Sequence, residues 1–158
     1  MCIELKEVTR DNWIDCIRLS LHPEQEGNVA PNVDSIAESK FELHHQLRAI
    51  YKDKQVIGFL AFCVEDDPPN PELYWLFRFM IDKDFQGKGY GTQALNLVIE
   101  EITHLGAKCI HTMHKPKNIR AGKLYQKAGF TYIGNLDDGD LLMELKTKGK
   151  EDVEELNI

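Results

Sequence analysis

The run Phe79-Met80-Ile81-Asp82-Lys83-Asp84-Phe85-Gln86-Gly87-Lys88-Gly89-Tyr90-Gly91-Thr92 carries more information than any other part of this chain. Upstream of it, Glu72–Asp82 (ELYWLFRFMID) is long and mostly apolar, as a strand covered on both faces is. Downstream, Ala94, Leu95, Leu97, Val98 and Ile102 recur at helical spacing, so a helix starts near Gly89 and ends near Gly106. Between strand and helix stand three glycines in five positions. Glycine lets backbone N–H groups approach an anion closely, and the start of a helix adds positive potential there. Several N–H groups aimed at one point make a cradle for a pyrophosphate. The plainer reading is a glycine-rich turn with no ligand. Three close glycines weaken a helix start, however, unless bare backbone is needed there.

Two familiar phosphate loops fail on spacing. A Walker loop needs Ser or Thr after its Gly-Lys pair, and Lys88 is followed by Gly89. A dinucleotide fingerprint starting at Gly87 needs glycine at 92, where Thr92 stands.

The flanking segments complete the outline. Cys2–Val8 alternates as a strand. Thr9 or Asp11 caps a helix through Leu19, with Trp13, Ile14, Ile17 and Leu21 facing inward. His22–Asn32 reads as a loop, and Asn32 caps a second helix, Val33–Leu43, with Ile36, Ala37 and Phe41 inward. Gln46–Lys52 and Gln55–Val64 form a hairpin across Asp53-Lys54, and Asp66–Pro71 is a breaker. Lys108–Met113 is a strand, and Asn118–Ala128 is a helix stopped by Gly129. Phe130–Asn135 and Leu141–Leu145 make a last hairpin. The order β-α-α-β-β-β-α-β-α-β-β is α+β, with one mixed, mostly antiparallel sheet and about four helices. Residues 1–146 form one domain, and the charged tail 147–158 is loose or weakly helical.

Composition narrows the function classes. The chain has 158 residues, 42% hydrophobic and 28% charged, which fits one globular domain and not a disordered or fibrous chain. No apolar run approaches the roughly 20 residues of a membrane span, and the N terminus lacks the apolar core of a signal peptide. A cytoplasmic location is expected, with no membrane partner. The net charge of −7 runs against nucleic-acid binding. Cys2, Cys16, Cys63 and Cys109 are too widely spaced for a zinc knuckle or a disulfide framework and read as reduced core thiols. His111-x-x-His114 makes no metal pair, since strand positions three apart face opposite sides. No metal site is expected.

Gln86-x-x-Gly89-x-Gly91, after the strand ending Phe79-Met80-Ile81-Asp82, resembles the acetyl-CoA-binding motif of the GNAT N-acetyltransferases. Asn118, Ala121 and Leu124-Tyr125-x-x-x-Gly129-Phe130 look like that family's second CoA-contacting motif. The resemblance spans about Met1 to Leu145 and implies the GNAT fold, acetyl-CoA as donor, and acetyl transfer to a primary amine by direct attack. It implies a bulge in the central strand, with backbone near Met80 and Ile81 binding the pantetheine. The pyrophosphate would lie on Gln86, Gly87, Lys88, Gly89, Tyr90, Gly91 and Thr92. Asn118 would touch the pantetheine arm, and Lys88, Lys117, Arg120 and Lys123 could approach the CoA phosphates. Tyr125 matches the general acid for the departing thiolate. On its surroundings alone, Tyr125 is a helix aromatic packed on the sheet.

His22-Pro23-Glu24-Gln25-Glu26-Gly27-Asn28-Val29-Ala30-Pro31-Asn32 with Ser35-Ile36-Ala37, and Tyr74-Trp75-Leu76-x-Arg78-Phe79-Met80, resemble the bacterial spermine/spermidine (diamine) acetyltransferase branch. That implies a small cationic amine acceptor held by Glu24, Glu26, Asn28, Asp34, Glu38, Trp75 and Arg78. Read from charge alone, the same carboxylates are a solvated acidic face. Asn28 and Asp34 stand where that branch commonly has aromatic residues, which implies that an apolar wall is either missing or replaced by polar and acidic contacts. Arg78 is read either as half of a structural salt bridge or as a shaper of the acceptor pocket. Glu24 or Glu26 is the expected base, with His111 a further candidate. The resemblance also raises a homodimer. Other acceptors, such as another small amine or a protein N-terminus, and a non-catalytic acyl-CoA-binding module stay open.

Overall fold

Strand alternation and two apolar helix stripes build the molecule, described here from a computed structural model covering residues 2–148. The strands are β1 (Ile3–Glu7), β2 (Gln46–Lys52), β3 (Gln55–Asp66), β4 (Pro69–Ile81), β5 (Cys109–His114), β6 (Thr131–Asn135) and β7 (Leu141–Lys146). The helices are α1 (Trp13–Ile17), α2 (Asn32–Ser39), α3 (Tyr90–His104) and α4 (Ile119–Lys127). The strands form one seven-stranded sheet in the order β1-β2-β3-β4-β5-β7-β6. Among the described residues only β4 and β5 pair in parallel. The α+β reading, with a mixed, mostly antiparallel sheet and four helices, therefore holds. The tail expected at 147–158 lies almost wholly outside the described residues.

Side-chain alternation sorts the core onto two faces. On one, Ala94, Leu95, Val98 and Ile102 of α3 and Tyr125 of α4 pack against Ile50, Leu60, Phe62, Leu76, Ile110 and Met143. On the other, Cys16 of α1 and Ile36 of α2 pack against Ala49, Phe59, Ala61 and Met80.

The first two helices depart from the periodicity reading. α1 is five residues long, and Trp13, Ile14 and Ile17 are exposed. The buried residue before it is Asn12, whose side chain accepts from Thr9 N–H (2.8 Å) and donates to Glu7 O (3.0 Å) and the Tyr51 hydroxyl (3.2 Å). That anchor turns Cys16, four positions on, to the sheet. α2 likewise buries Asn32 and Ser35 instead of Ala37 and Phe41, and it ends before Phe41, which is 78% exposed. Asn32 donates to Cys16 O (2.9 Å), and Ser35 accepts from Arg78 Nε (3.2 Å). Polar tethers outrank apolar spacing in both helices. The breaker at 66–71 shrinks to a tight hairpin turn, because β3 runs to Asp66 and β4 starts at Pro69.

One irregularity positions everything that follows. Across the β3–β4 ladder, Ala61 faces Arg78 but Phe62 faces Leu76, so Phe77 is an extra residue in β4. Such a bulge bends the strand that carries it. Pairing of β4 with β5 runs from Leu73–Cys109 to Leu76–Thr112 and stops there. The last rung is fastened by the Thr112 hydroxyl, which donates to Leu76 O at 2.8 Å. Beyond it β4 stays with β3, β5 stays with β7, and a cleft opens between them.

Candidate active site

Two cavities occupy that cleft. The first, about 320 Å³, is lined by Met80 and Ile81 of β4, Gln86, Gly87, Gly89, Gly91 and Thr92 of the glycine turn, and Asn118, Lys123 and Tyr125 of α4 and its cap. The second, about 360 Å³, lies toward Leu76, Phe77, Arg78, Met113, His114, Lys115 and Asp140. Both are lined by Asn28, Val29, Phe79, Asn118, Ala121 and Tyr125, so they meet at those side chains.

The first cavity has the build of an anion and amide site. Gly87 and Gly89 have φ of +75° and +85°, in the left-handed region that side chains resist. The first helical bond of α3 runs from Gln93 N–H to Gly89 O, and no side chain caps its start. The N–H groups of that first turn therefore lack intrahelical acceptors and open beside the cavity, with the helix dipole behind them. Arg120 donates to Gln86 Oε1 (3.2 Å), and with Lys123 and Lys127 it puts three cations of α4 along the lining. Gln86 fixes the turn: its amide donates to Ile81 O and to Gln25 Oε1, and it accepts from Gln25 Nε2, each at 2.9 Å. Just past β4, Asp82 N–H turns to Ile57 O of β3 at 2.8 Å. Antiparallel alternation then turns the Phe79 and Ile81 N–H groups the other way, into the cleft. A phosphate-bearing ligand with an amide arm fits this donor set.

Tyr125 stands where the cavities join, 5% exposed, with Phe130 at 5.6 Å and His114 at 6.3 Å between ring centroids. Burial pushes its hydroxyl up to about 12, with Thr112 acting against that shift, so the group holds its proton at neutral pH. Asn118 caps α4, its Oδ1 accepting from Ala121 N–H at 3.2 Å. Asn28 Oδ1 is buried without a hydrogen-bond partner at the junction. His114 bonds through Nδ1 to Lys115 O at 2.9 Å. A carbonyl only accepts, so Nδ1 carries a proton.

Several residues named from the sequence lie elsewhere. Tyr90 is buried in the core below the turn, and Lys88 is exposed, its Nζ reaching Asp84 O at 3.3 Å. Neither lines the first cavity. Glu24, Glu26 and Asp34 are exposed and line neither cavity, although Glu26 adjoins Gly27 on the wall of the second. Trp75 is on the opposite face of the sheet from Leu76, donating to Glu65 at 2.8 Å and meeting His111 edge-on at 4.9 Å. His111 pairs with Glu144 there, away from both cavities. Arg78 lines the second cavity and lies 3.8 Å from Glu38. Sequence reasoning passed over His114, Asp140 and Gln25. No local signal separates His114 from His111, which lies on the same strand.

A cleft that opens beside a bulged parallel pair, with a glycine turn at its foot, defines an acyl-CoA-dependent N-acyltransferase fold. Residues 7–130 match the model of the acetyltransferase (GNAT) family, and the chain belongs to that family. The spermine/spermidine N(1)-acetyltransferase of Bacillus subtilis (strain 168) is 30% identical over 149 residues, covering 90% of this chain and 97% of that protein. Among solved structures, the paiA N-acetyltransferase of Thermoplasma acidophilum in complex with coenzyme A superposes with a TM-score of 0.70. It is 17% identical and covers 93% of this chain and 100% of that one. A Bacillus subtilis acetyltransferase in complex with CoA gives a TM-score of 0.68 at 20% identity, over 92% and 97%.

Proposed function

We propose that this acetyl-CoA-dependent N-acetyltransferase acetylates a polyamine or similar small amine. Acetyl-CoA is the donor, and its thioester supplies the electrophilic acetyl carbon. The observation that carries the reading is the junction of the two cavities at Tyr125, Asn28 and Asn118. A donor in the first cavity and an amine in the second meet there, which is the proximity that direct transfer needs.

The residues divide the work as follows. The first turn of α3, with Arg120, Lys123 and Lys127, holds the diphosphate. The Phe79 and Ile81 N–H groups and the Asn118 amide hold the arm and offer donors to the thioester oxygen as it gains charge. Asn28 Oδ1 accepts an N–H of the incoming amine. His114 Nε2 removes the ammonium proton, and the amine nitrogen bonds to the acetyl carbon as the C–S bond breaks. Tyr125 gives its hydroxyl proton to the departing sulfur, and the second N–H proton of the newly bonded nitrogen returns to the tyrosinate, leaving a neutral amide and a free thiol. Asp140 in the wall, with Glu38 beside the lining residue Arg78, supplies negative charge for further ammonium groups. The curated relative's name supports a polyamine in particular.

A second reading rests on the same wall. Arg78 and Lys115 also line the second cavity, Lys115 lying 3.5 Å from Asp140. Two cations there would suit an amine that also bears a carboxylate. An acetylation panel of spermine, spermidine, diamines, amino acids and short peptides, read by free-CoA release, separates the readings. Turnover of polyamines, with a raised KM in Asp140→Asn, is expected. Turnover confined to carboxylate-bearing amines would replace the polyamine with the second class. No release from any amine would remove catalysis.

A further inference from the structure

We propose that Cys109, His111 and Glu144 form a binding site for one borderline divalent cation of the zinc(II) type, on the face of the sheet opposite α3 and α4. Cys109 and His111 are alternate residues of β5, so both side chains leave on one face, away from buried Ile110 and Thr112. Glu144 is directly opposite His111 in the β5–β7 ladder. The sulfur, nitrogen and oxygen donors all lie within 4.8 Å of one another, and His111 Nε2 is 2.9 Å from Glu144 Oε2. Four-coordinate zinc, with bonds of about 2.0–2.3 Å, places its ligand atoms about 3.3–3.8 Å apart. The spacing found brackets that value, so side-chain shifts of about 1 Å close the site without moving the strands.

The surroundings hold these side chains in place. The Trp75 ring meets His111 at 87°, and its indole N–H is tied to Glu65. The His111 and Glu144 side chains are 15% and 24% exposed. The second core ends before this half of the face: none of its buried or flanking side chains comes from β5, β6 or β7. A fourth position is therefore left to water, as in other three-ligand sites. Sulfur, imidazole and carboxylate together favour zinc over magnesium or calcium.

The other reading of a Cys-His-Glu group is a nucleophile with its base. Here the imidazole nitrogen faces the carboxylate, and burial with the neighbouring Glu144 pushes the Cys109 thiol up to about 11. That thiol is protonated and poorly nucleophilic. Bound to a cation, Cys109 releases its proton to solvent and the ion balances both anions. None of the three residues lines either cavity, so the site is separate from acetyl transfer.

Cobalt(II) titration of the full metal-stripped chain tests this. One equivalent should give an intense thiolate-to-cobalt band, and zinc(II) should bleach it. Cys109→Ser and His111→Ala should each lose the band while keeping the thermal response to acetyl-CoA, and Cys2→Ser should keep it. Absence of a thiolate band, or a band that survives Cys109→Ser, overturns the site. Should Cys109→Ser fail to fold, alkylation of wild type decides: zinc(II) should protect Cys109, and labelling unchanged by zinc(II) refutes the proposal.

Discussion

Tyr125 combines three properties at one atom: burial, a retained proton and a position shared by both cavities. Tyr125→Phe should lower kcat by about 10²-fold, the scale of a lost general acid, with little change in acetyl-CoA affinity. Equal kcat values would assign the proton to another group. The same hydroxyl has an alkaline signature. Its folded pKa of about 12 lies above the ordinary 10, so its contribution to stability is whole below pH 10 and is lost as pH rises through 12. Melting curves across that range should show wild type losing stability relative to Tyr125→Phe, and parallel curves would contradict the buried hydroxyl. The sequence could place Tyr125, Asn118 and the glycines together on the first cavity because each sits at a fixed offset from a helix end. The acceptor wall was not legible in this way. Glu24, Glu26 and Asp34 lie in the expected segments but point to water, and nothing local told His114 from His111. Which of two strand histidines faces a cleft depends on which neighbour has moved away.

At the scale of elements, β4 decides the site. Its extra residue, Phe77, ends the parallel pairing after Leu76 and leaves backbone donors unpaired toward the cleft. β3 supports that bend closely: a Cβ built on Gly58 would lie 2.6 Å from Met80 O and 2.9 Å from Ile81 Cδ1. Gly58→Ala must push β4 outward, and we expect a loss of about 1–3 kcal/mol, typical of overpacking, together with a higher KM for acetyl-CoA. Urea unfolding and steady-state kinetics measure the two effects. Unchanged stability would mean that β4 yields freely there. The long strands and α3 were readable because apolar periodicity and burial agree over many residues. α1 and α2 were readable only as helices. Their inward faces are set by Asn12, Asn32 and Ser35 reaching specific partners, which no periodic template contains.

The described residues form a sheet held together on one side by its continuous ladders and parted at one rung, with the two cavities in the gap. Acetyl-CoA that bridges β4, α3 and α4 should stabilise the fold, by about 2.7 kcal/mol at a hundredfold excess over Kd. Thermal-shift measurements should show this for acetyl-CoA and not for NAD or ATP, and a response to none of them would disprove the donor cleft. The amino-acid order alone determined the strand and helix succession, the glycine turn and the donor half of the chemistry. Those features are local, written within a few residues of one another and governed by backbone freedom and periodicity. Only the tertiary structure decided where β4 and β5 part, which carboxylates face the cleft, and that Cys109 and His111 meet Glu144. Register between strands distant in sequence fixes each of these, and register is set by the packing of the whole sheet.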